Sequence, residues 1–175
     1  MTRRRLLTLI LMGAAASAAP FYWASRWRYI VVHHSGGGSG DIELLRRVHR
    51  ERQARDPIDE PPYHFIIGNG NGMGVGEVAQ TGRWRRRLWG AHMSGRNPDR
   101  NMRGIGICLI GDFETDTVPE DQLQAALALT RQLMERFGIP PENVTFHGGT
   151  PGEMTLCPGR KFPRQRFLRG VTGDA

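Results

Sequence analysis

Residues 28–35 read RYIVVHHS, and this stretch decides the fold. Its three consecutive β-branched residues are typical of a buried strand, and the glycine-rich GGGSG at 36–40 ends that strand. The strand closes on two adjacent imidazoles, His33 and His34. Because successive side chains of a strand point to opposite faces of a sheet, we expect these two histidines to have different surroundings.

Helix and strand signals alternate along the rest of the chain. A helix is predicted after Ser39 or Asp41, where apolar residues keep helical spacing in DIELLRRVHRERQ. The clearest helix signal is a capping box formed by Thr117 and Glu120, and this helix is expected to end at Gly138. Further strands are predicted at 62–68, 104–113 and 142–147. The alternation predicts a single α/β domain with a central mixed β-sheet flanked by helices.

The chain is strongly basic. Its 175 residues suffice for one domain with a full core, and its formal net charge is +7. Such a charge is typical of proteins that bind nucleic acid, anionic lipid or an acidic polymer. The positive charge is carried by arginines spread along the sequence, with Lys161 as the single lysine. This spread, and the lack of a helix-turn-helix or aromatic RNA-binding motif, predicts that nucleic acid is not a partner.

The first twenty residues, MTRRRLLTLILMGAAASAAP, are typical of an export signal. Their apolar run is shorter than the roughly 20 residues of a membrane span, so no stable membrane span is expected. The triple arginine resembles a twin-arginine signal. We expect an export signal at 1–18, an N-terminal segment at 19–27, one folded domain at 28–170 and a tail at 171–175. This organisation predicts a location in the periplasm or cell envelope of a bacterium.

Metal-binding side chains stand where predicted strands end. His33 closes the first strand, His147 closes the last, and Cys157 follows in the loop TLCPG. Two imidazoles and one thiolate suit a tetrahedral zinc ion with one position left open, the arrangement of catalytic zinc sites. The spacing matches no standard zinc finger, so ordinary packing of the three residues stays an alternative. Cys108 lies in the apolar run GIGICLIG, and nothing in the sequence favours a disulfide.

The chain carries four motifs in order: YIVVHHS, PYHFII, GAHMSGRN followed by GIGICLIGDF, and FHGGTPGEMTLCPG. Together they resemble the zinc-dependent N-acetylmuramoyl-L-alanine amidases, the family of the small phage lysozyme-type amidase and the peptidoglycan recognition proteins. The resemblance covers roughly residues 28–163. It implies hydrolysis of the amide between N-acetylmuramic acid and L-alanine, one catalytic Zn²⁺, and peptidoglycan or muropeptides as partners.

The resemblance also implies roles for individual residues. The implied zinc ligands are His33, His147 and Cys157, and the implied catalytic residues are Tyr63 and Thr155. The implied substrate contacts are His92 of the third motif and three residues outside the quoted motifs, namely Arg83, Trp84 and Asn101.

The sequence departs from the family pattern at two informative positions. One branch of the family has a catalytic glutamate where this chain has Ile110, so that mechanism is not available here. Arg83 replaces the glycine of a Gly-Trp pair that favours diaminopimelate in the recognition proteins. A non-catalytic peptidoglycan-binding module is the alternative function, because some family members have lost a ligand and only bind. All three ligand positions are occupied here, which favours an enzyme.

Overall fold

The computed structural model describes residues 26–173. The expected export signal at 1–18 and most of the segment at 19–27 lie outside the described residues, as do the last two residues of the expected tail. Within the described range, no helix combines the length and apolar character needed to cross a membrane.

The described part of the chain forms five strands and five helices. The strands are β1 (Tyr29–His34), β2 (Phe65–Ile67), β3 (Val78–Gln80), β4 (Gly104–Leu109) and β5 (Val144–Phe146). The helices are α1 (Ile42–Arg52), α2 (Gly82–Arg85), α3 (Pro98–Arg103), α4 (Glu120–Phe137) and α5 (Arg164–Thr172). Two short 3₁₀ turns, Pro141–Asn143 and His147–Gly149, flank β5.

The strands form one mixed sheet in the order β3-β2-β4-β1-β5. β1 runs parallel to both of its neighbours, β4 and β5, whereas β3 pairs antiparallel with β2. A parallel strand with a neighbour on each side is buried on both faces, which explains the unbroken apolar run of β1. The predicted α/β domain with a mixed sheet is confirmed.

Helices cover both faces of this sheet. On one face, Ile30 and Val32 of β1 join a core that includes Leu123 of α4 and Phe167 of α5. On the other face, Cys108 of β4 packs in a smaller cluster with Ile66, Ile110 and Leu45 of α1. In the parallel register His33 lies beside Cys108, so His33 faces the α1 side of the sheet.

The helix α4 shows that the predicted capping box was wrong. The helix begins at Glu120 with Pro119 as its N-cap, and no side chain caps it. A capping box needs its glutamate at the third helical position, whereas Glu120 is the first. Glu120 instead accepts a hydrogen bond from Arg166 of α5 at 2.8 Å. The predicted end at Gly138 is confirmed, because Gly138 adopts the left-handed conformation at φ 62°.

Four short elements were not predicted, namely β3, α2, α3 and α5. The strand β3 carries no apolar signal because it is a three-residue edge with two exposed positions. The helix α5 buries only Phe167 and Val171, four residues apart, and its other apolar side chain, Leu168, is exposed. The domain boundary expected at residue 170 falls inside this helix.

Candidate metal centre

The register of the sheet brings His33 and His147 together. β1 and β5 are parallel, and Val32 is paired with Phe146. The residue after each of these is a histidine, His33 on β1 and His147 directly after β5, and the two imidazole centroids lie 4.8 Å apart. Both side chains therefore stand at the carboxyl edge of the sheet, where ligand sites of α/β proteins form.

A close loop contact adds Cys157 to this pair. The Gly148 amide donates to the Cys157 carbonyl at 2.7 Å, and a Cβ on Gly148 would lie 2.2 Å from the Thr155 carbonyl oxygen. Only glycine permits this approach. Cys157 Sγ lies 3.8 Å from His33 Nδ1. The ligand atoms of His33, His147 and Cys157 all lie within 4.8 Å of one another.

The electrostatics of the cluster suit a cation. Burial, and then His92 and His147, lower the pKa of His33 well below its ordinary value. Burial also raises the pKa of Cys157 to about 12, although the His34 amide donates to its sulfur at 3.4 Å. The neutral imidazole keeps a lone pair for a metal, and a bound cation favours the thiolate. Two imidazole nitrogens and one thiolate sulfur fit Zn²⁺, with a fourth position for water or substrate.

His92 is in direct contact with His33. Its Nδ1 lies 3.1 Å from His33 Nε2, and its side chain is almost fully buried. Space for the ring comes from Gly106 of β4, because a Cβ there would lie 2.6 Å from the His92 ring. His92 thus lies against His33 and also lines the cleft, where a substrate contact was expected.

Glu153 is a polar neighbour of the cluster that the sequence analysis missed. Its carboxylate lies 3.2 Å from His147 Nε2, and 4% of its side chain is exposed. Burial opposes the charge, but hydrogen bonds from Asn97, Ser94 and His147 outweigh it and hold the pKa of Glu153 below its ordinary value. No periodic pattern marks this residue, since it lies in a loop six positions after His147.

A family model described as N-acetylmuramoyl-L-alanine amidase matches residues 23–160. The chain belongs to this family. The resemblance identified from the four motifs is therefore confirmed.

Similar proteins include both amidases and recognition proteins. A peptidoglycan-recognition protein of Drosophila simulans is 29% identical over 152 residues, which cover 78% of this chain and 75% of that protein. The amidase LysC of Clostridium intestinale has a similar structure, with a TM-score of 0.68 and 24% identity over 87% of this chain and 89% of that one. Wild-type PGRP-LB of Drosophila matches with a TM-score of 0.56 and 25% identity over 79% and 78% of the two chains.

In this amidase-family chain, Tyr63 and Thr155 both lie beside the cluster. The Tyr63 ring centroid is 5.1 Å from that of His33. Burial, reinforced by the thiols of Cys108 and Cys157, raises the pKa of Tyr63 well above its ordinary value, so the phenol keeps its proton. Thr155 Oγ1 accepts a hydrogen bond from the Cys157 amide at 3.1 Å.

A cleft of about 390 Å³ opens onto the cluster, and His147, Glu153 and Thr155 line it together with His92. A second cavity of about 470 Å³ shares Gln53, Ala91 and Met93 with this cleft, so the two form one groove.

Asn101 borders the second cavity, but its amide is engaged by the protein itself. Its Oδ1 accepts from the Met93 amide at 2.9 Å, and its Nδ2 donates to the Met93 carbonyl at 3.0 Å. Asn101 therefore shapes the groove wall.

Two residues that were expected to contact the substrate, Arg83 and Trp84, do not lie at the cluster. Arg83 is fully buried, pairs with Asp56, and donates to the carbonyls of Pro61 at 2.8 Å and Trp89 at 2.7 Å. Its burial leaves no surface for a substrate, and this expectation is corrected. Trp84 packs on Phe65, with 4.6 Å between ring centroids, and borders a separate cavity.

The remaining polar groups of the strand ends are satisfied within the fold. His34 Nδ1 accepts from the Phe113 amide at 3.2 Å, and the His34 ring lies near Phe113 rather than in the cluster. The expected separation of His33 and His34 across the pleat is confirmed. Cys108 and Cys157 are both free thiols.

Proposed function

We propose that this chain is a zinc-dependent hydrolase that cleaves the amide between N-acetylmuramic acid and L-alanine in peptidoglycan. The observation that carries the proposal is the complete set of His33, His147 and Cys157, with ligand atoms within 4.8 Å, at the head of a groove. Family membership supports the same chemistry, since the family model is described as an N-acetylmuramoyl-L-alanine amidase.

The reaction adds water across the amide and yields a lactyl carboxylate and a free alanine amine. Zinc bound by these residues supplies Lewis acidity, which lowers the pKa of a water to about 7 and polarises a carbonyl. We assign to Tyr63, whose ring centroid lies 5.1 Å from that of His33, the stabilisation of the amide oxygen as it gains negative charge. Its phenol stays protonated because burial raises its pKa, so it acts as a hydrogen-bond donor.

The leaving nitrogen must gain a proton before the amine departs. No carboxylate stands at position 110, where the buried Ile110 directly follows β4. We assign the delivery of this proton to the Tyr63 hydroxyl or to a water held at the Thr155 hydroxyl. Thr155 Oγ1 already accepts from the Cys157 amide, so its own hydrogen points elsewhere and can hold a water.

The groove suits an extended substrate. The cleft at the cluster continues into the second cavity past Ala91 and Met93, and exposed Trp89 and Met102 border that cavity. With the scissile amide at the cluster, the groove would be available to bind the sugar or the stem peptide that flanks this amide. Peptidoglycan or its soluble muropeptides match this length and polarity. The expected export signal would bring the chain to this substrate in the periplasm or cell envelope.

A non-catalytic peptidoglycan-binding module is the second candidate. It is favoured by the relatives that carry recognition in their names, such as the peptidoglycan-recognition protein of Drosophila simulans. A binding module would need the groove but neither the metal nor the Tyr63 phenol.

Digestion of purified peptidoglycan distinguishes the two candidates. The assay scores new alanine amino termini separately from new reducing sugar ends, with and without a chelator. An amidase releases alanine amines without reducing ends, and a chelator or Cys157→Ser abolishes the release. Retained binding to peptidoglycan without any release, by a zinc-loaded protein, would establish the binding module instead.

Tyr63→Phe tests the catalytic role of the phenol within the same assay. Loss of one oxyanion donor lowers kcat by about 10²–10³-fold, and zinc affinity should stay unchanged. Tyr29→Phe is the matched control. It also removes a tyrosine hydroxyl, but at the end of β1 that lies away from His33. An equal loss of activity in both variants would contradict the assignment.

A further inference from the structure

We propose that Glu153 is a positioning residue that fixes His147 in its metal-binding orientation and ties it to the groove wall formed by residues 94–97. The inference rests on the proposed zinc site and deepens it. Glu153 was assigned no role by the family resemblance, so its assignment comes from the geometry alone.

The two carboxylate oxygens of Glu153 have separate partners. Oε1 accepts from Asn97 Nδ2 at 2.7 Å, from Ser94 Oγ at 2.8 Å and from the Ser94 amide at 3.2 Å. Oε2 lies 3.2 Å from His147 Nε2. One oxygen is therefore held by the loop on the opposite side of the cleft, and the other is left for the imidazole.

This contact selects the tautomer of His147. An ionised carboxylate only accepts hydrogen bonds, so the imidazole nitrogen facing it must carry the proton. In a neutral imidazole the other nitrogen, Nδ1, then has the free lone pair. The Glu153 contact thus turns Nδ1 into the metal-binding atom and prevents rotation of the ring. Carboxylate–histidine pairs of this kind raise the basicity of a zinc ligand.

The contact also spans the cleft. Ser94 and Asn97 belong to the segment between His92 and α3, whereas Glu153 belongs to the loop between His147 and Cys157. Asn97 Nδ2 also donates to the Pro151 carbonyl at 3.1 Å, and Arg96 Nη1 donates to the Gly152 carbonyl at 3.4 Å, so the two loops are joined at several points. A molecule bound in the groove that displaced residues 94–97 would therefore also shift His147, because Glu153 connects the two.

Zinc affinity of purified variants tests this proposal, measured by competition with a chromophoric chelator. Glu153→Ala removes the acceptor and should weaken zinc binding about 10–100-fold. Glu153→Gln keeps an acceptor oxygen but removes the charge, so its loss should be smaller. Asn97→Ala leaves Glu153 and His147 in place but loosens the carboxylate, and a loss smaller than that of Glu153→Ala is expected.

Glu142→Gln is the matched control, because Glu142 is an exposed glutamate on the chain leading into β5. Its zinc affinity should equal that of the parent. The visible absorption spectrum of the Co²⁺-substituted protein gives a second readout, since a reoriented imidazole changes the ligand field. A merely structural Glu153 would lower the unfolding midpoint of the metal-free protein and leave both readouts unchanged.

The outcomes separate the two proposals. Zinc binding by the parent that is lost in Cys157→Ser and weakened in Glu153→Ala supports both. Tight zinc binding by folded Glu153→Ala, within about threefold of the parent, overturns the role of Glu153 and leaves the zinc site intact. A parent that binds no zinc overturns the proposed zinc site itself, and the role of Glu153 with it.

Discussion

His64 is the most constrained imidazole outside the metal cluster. Its Nδ1 accepts from the Gly106 amide at 3.0 Å, and its Nε2 donates to the Leu88 carbonyl at 3.1 Å. The ring is fully buried with its edge against Trp27. Burial lowers its pKa from 6.5 to about 3, so the folded protein holds this imidazole in the neutral form.

This depressed pKa predicts acid sensitivity. In the unfolded chain His64 takes up a proton below pH 6.5, whereas in the folded protein it does so only near pH 3. Its contribution to stability is therefore complete above pH 6.5 and is lost progressively as the pH falls from 6.5 toward about 3. One such proton changes the free energy of unfolding by up to about 1.4 kcal/mol per pH unit.

His64→Gln isolates this effect, because glutamine offers one acceptor and one donor but does not titrate. Urea unfolding of the metal-free protein at several pH values should give a shallower loss of stability for the variant. His33 and His92 titrate in both proteins, and the difference between the two curves reports His64 together with its electrostatic effect on the neighbouring His92. Parallel curves over the acidic range would contradict the neutral, buried state of this ring.

At the scale of elements, the turn after β5 and the loop that carries Cys157 depend on one close backbone approach. A Cβ on Gly148 would lie 2.2 Å from the Thr155 carbonyl oxygen and 2.9 Å from that of Cys157. Backbone atoms cannot move aside as a flexible side chain can. The neighbouring Gly149 has no such contact, because its nearest atom is the Phe146 Cβ at 3.9 Å.

Gly148→Ala should therefore separate Cys157 from the two histidines. We expect a loss of about 1–3 kcal/mol in the free energy of unfolding, the usual cost of overpacking, together with weaker zinc binding. Gly149→Ala makes the same chemical change one residue away and should retain both properties. Urea unfolding and chelator competition measure the two effects. Equal stability and equal zinc affinity of the two variants would show that the close backbone approach at Gly148 does not determine the position of Cys157.

The elements that the sequence predicts are those whose signal is local. The β-branched run before His33 and the apolar spacing of α4 report burial along one segment, and both elements form as expected. The edge strand β3 and the helix α5 owe their existence to partners distant in the sequence. Their own residues are mostly exposed, so no periodicity marks them.

At the scale of the whole molecule, site residues were likewise predictable only where their position follows from a local signal in the sequence. His33 and His147 follow from the ends of two parallel strands that meet at one edge of the mixed sheet, a rule that needs only the order of elements. The burial of Arg83 depends on Asp56, 27 residues earlier, and on two backbone carbonyls. The role proposed for Glu153 depends on Ser94 and Asn97, which lie 59 and 56 residues earlier. Pairing of polar groups across such distances leaves no pattern in the sequence.

Zinc should also stabilise the molecule as a whole, because its proposed ligands lie in distant parts of the chain. His33 and Cys157 are 124 positions apart, and their pairing exists only in the folded state. A ligand at about 1,000 times its dissociation constant stabilises the folded state by about 4 kcal/mol. For a chain of this size, that corresponds to a rise in Tm of roughly 10 °C. Differential scanning fluorimetry with zinc and with a chelator measures the rise.

Cys157→Ser should remove this zinc-dependent rise in Tm, whatever its effect on the metal-free protein. Cys108→Ser is the matched control, because Cys108 is the other buried thiol and lies outside the three-residue cluster. Cys108→Ser is expected to lower Tm, because residue 108 is buried in β4. It should nevertheless keep the zinc-dependent rise in Tm. A rise that survives Cys157→Ser but disappears in Cys108→Ser would place the thiol ligand on β4, beside His33 in the sheet register.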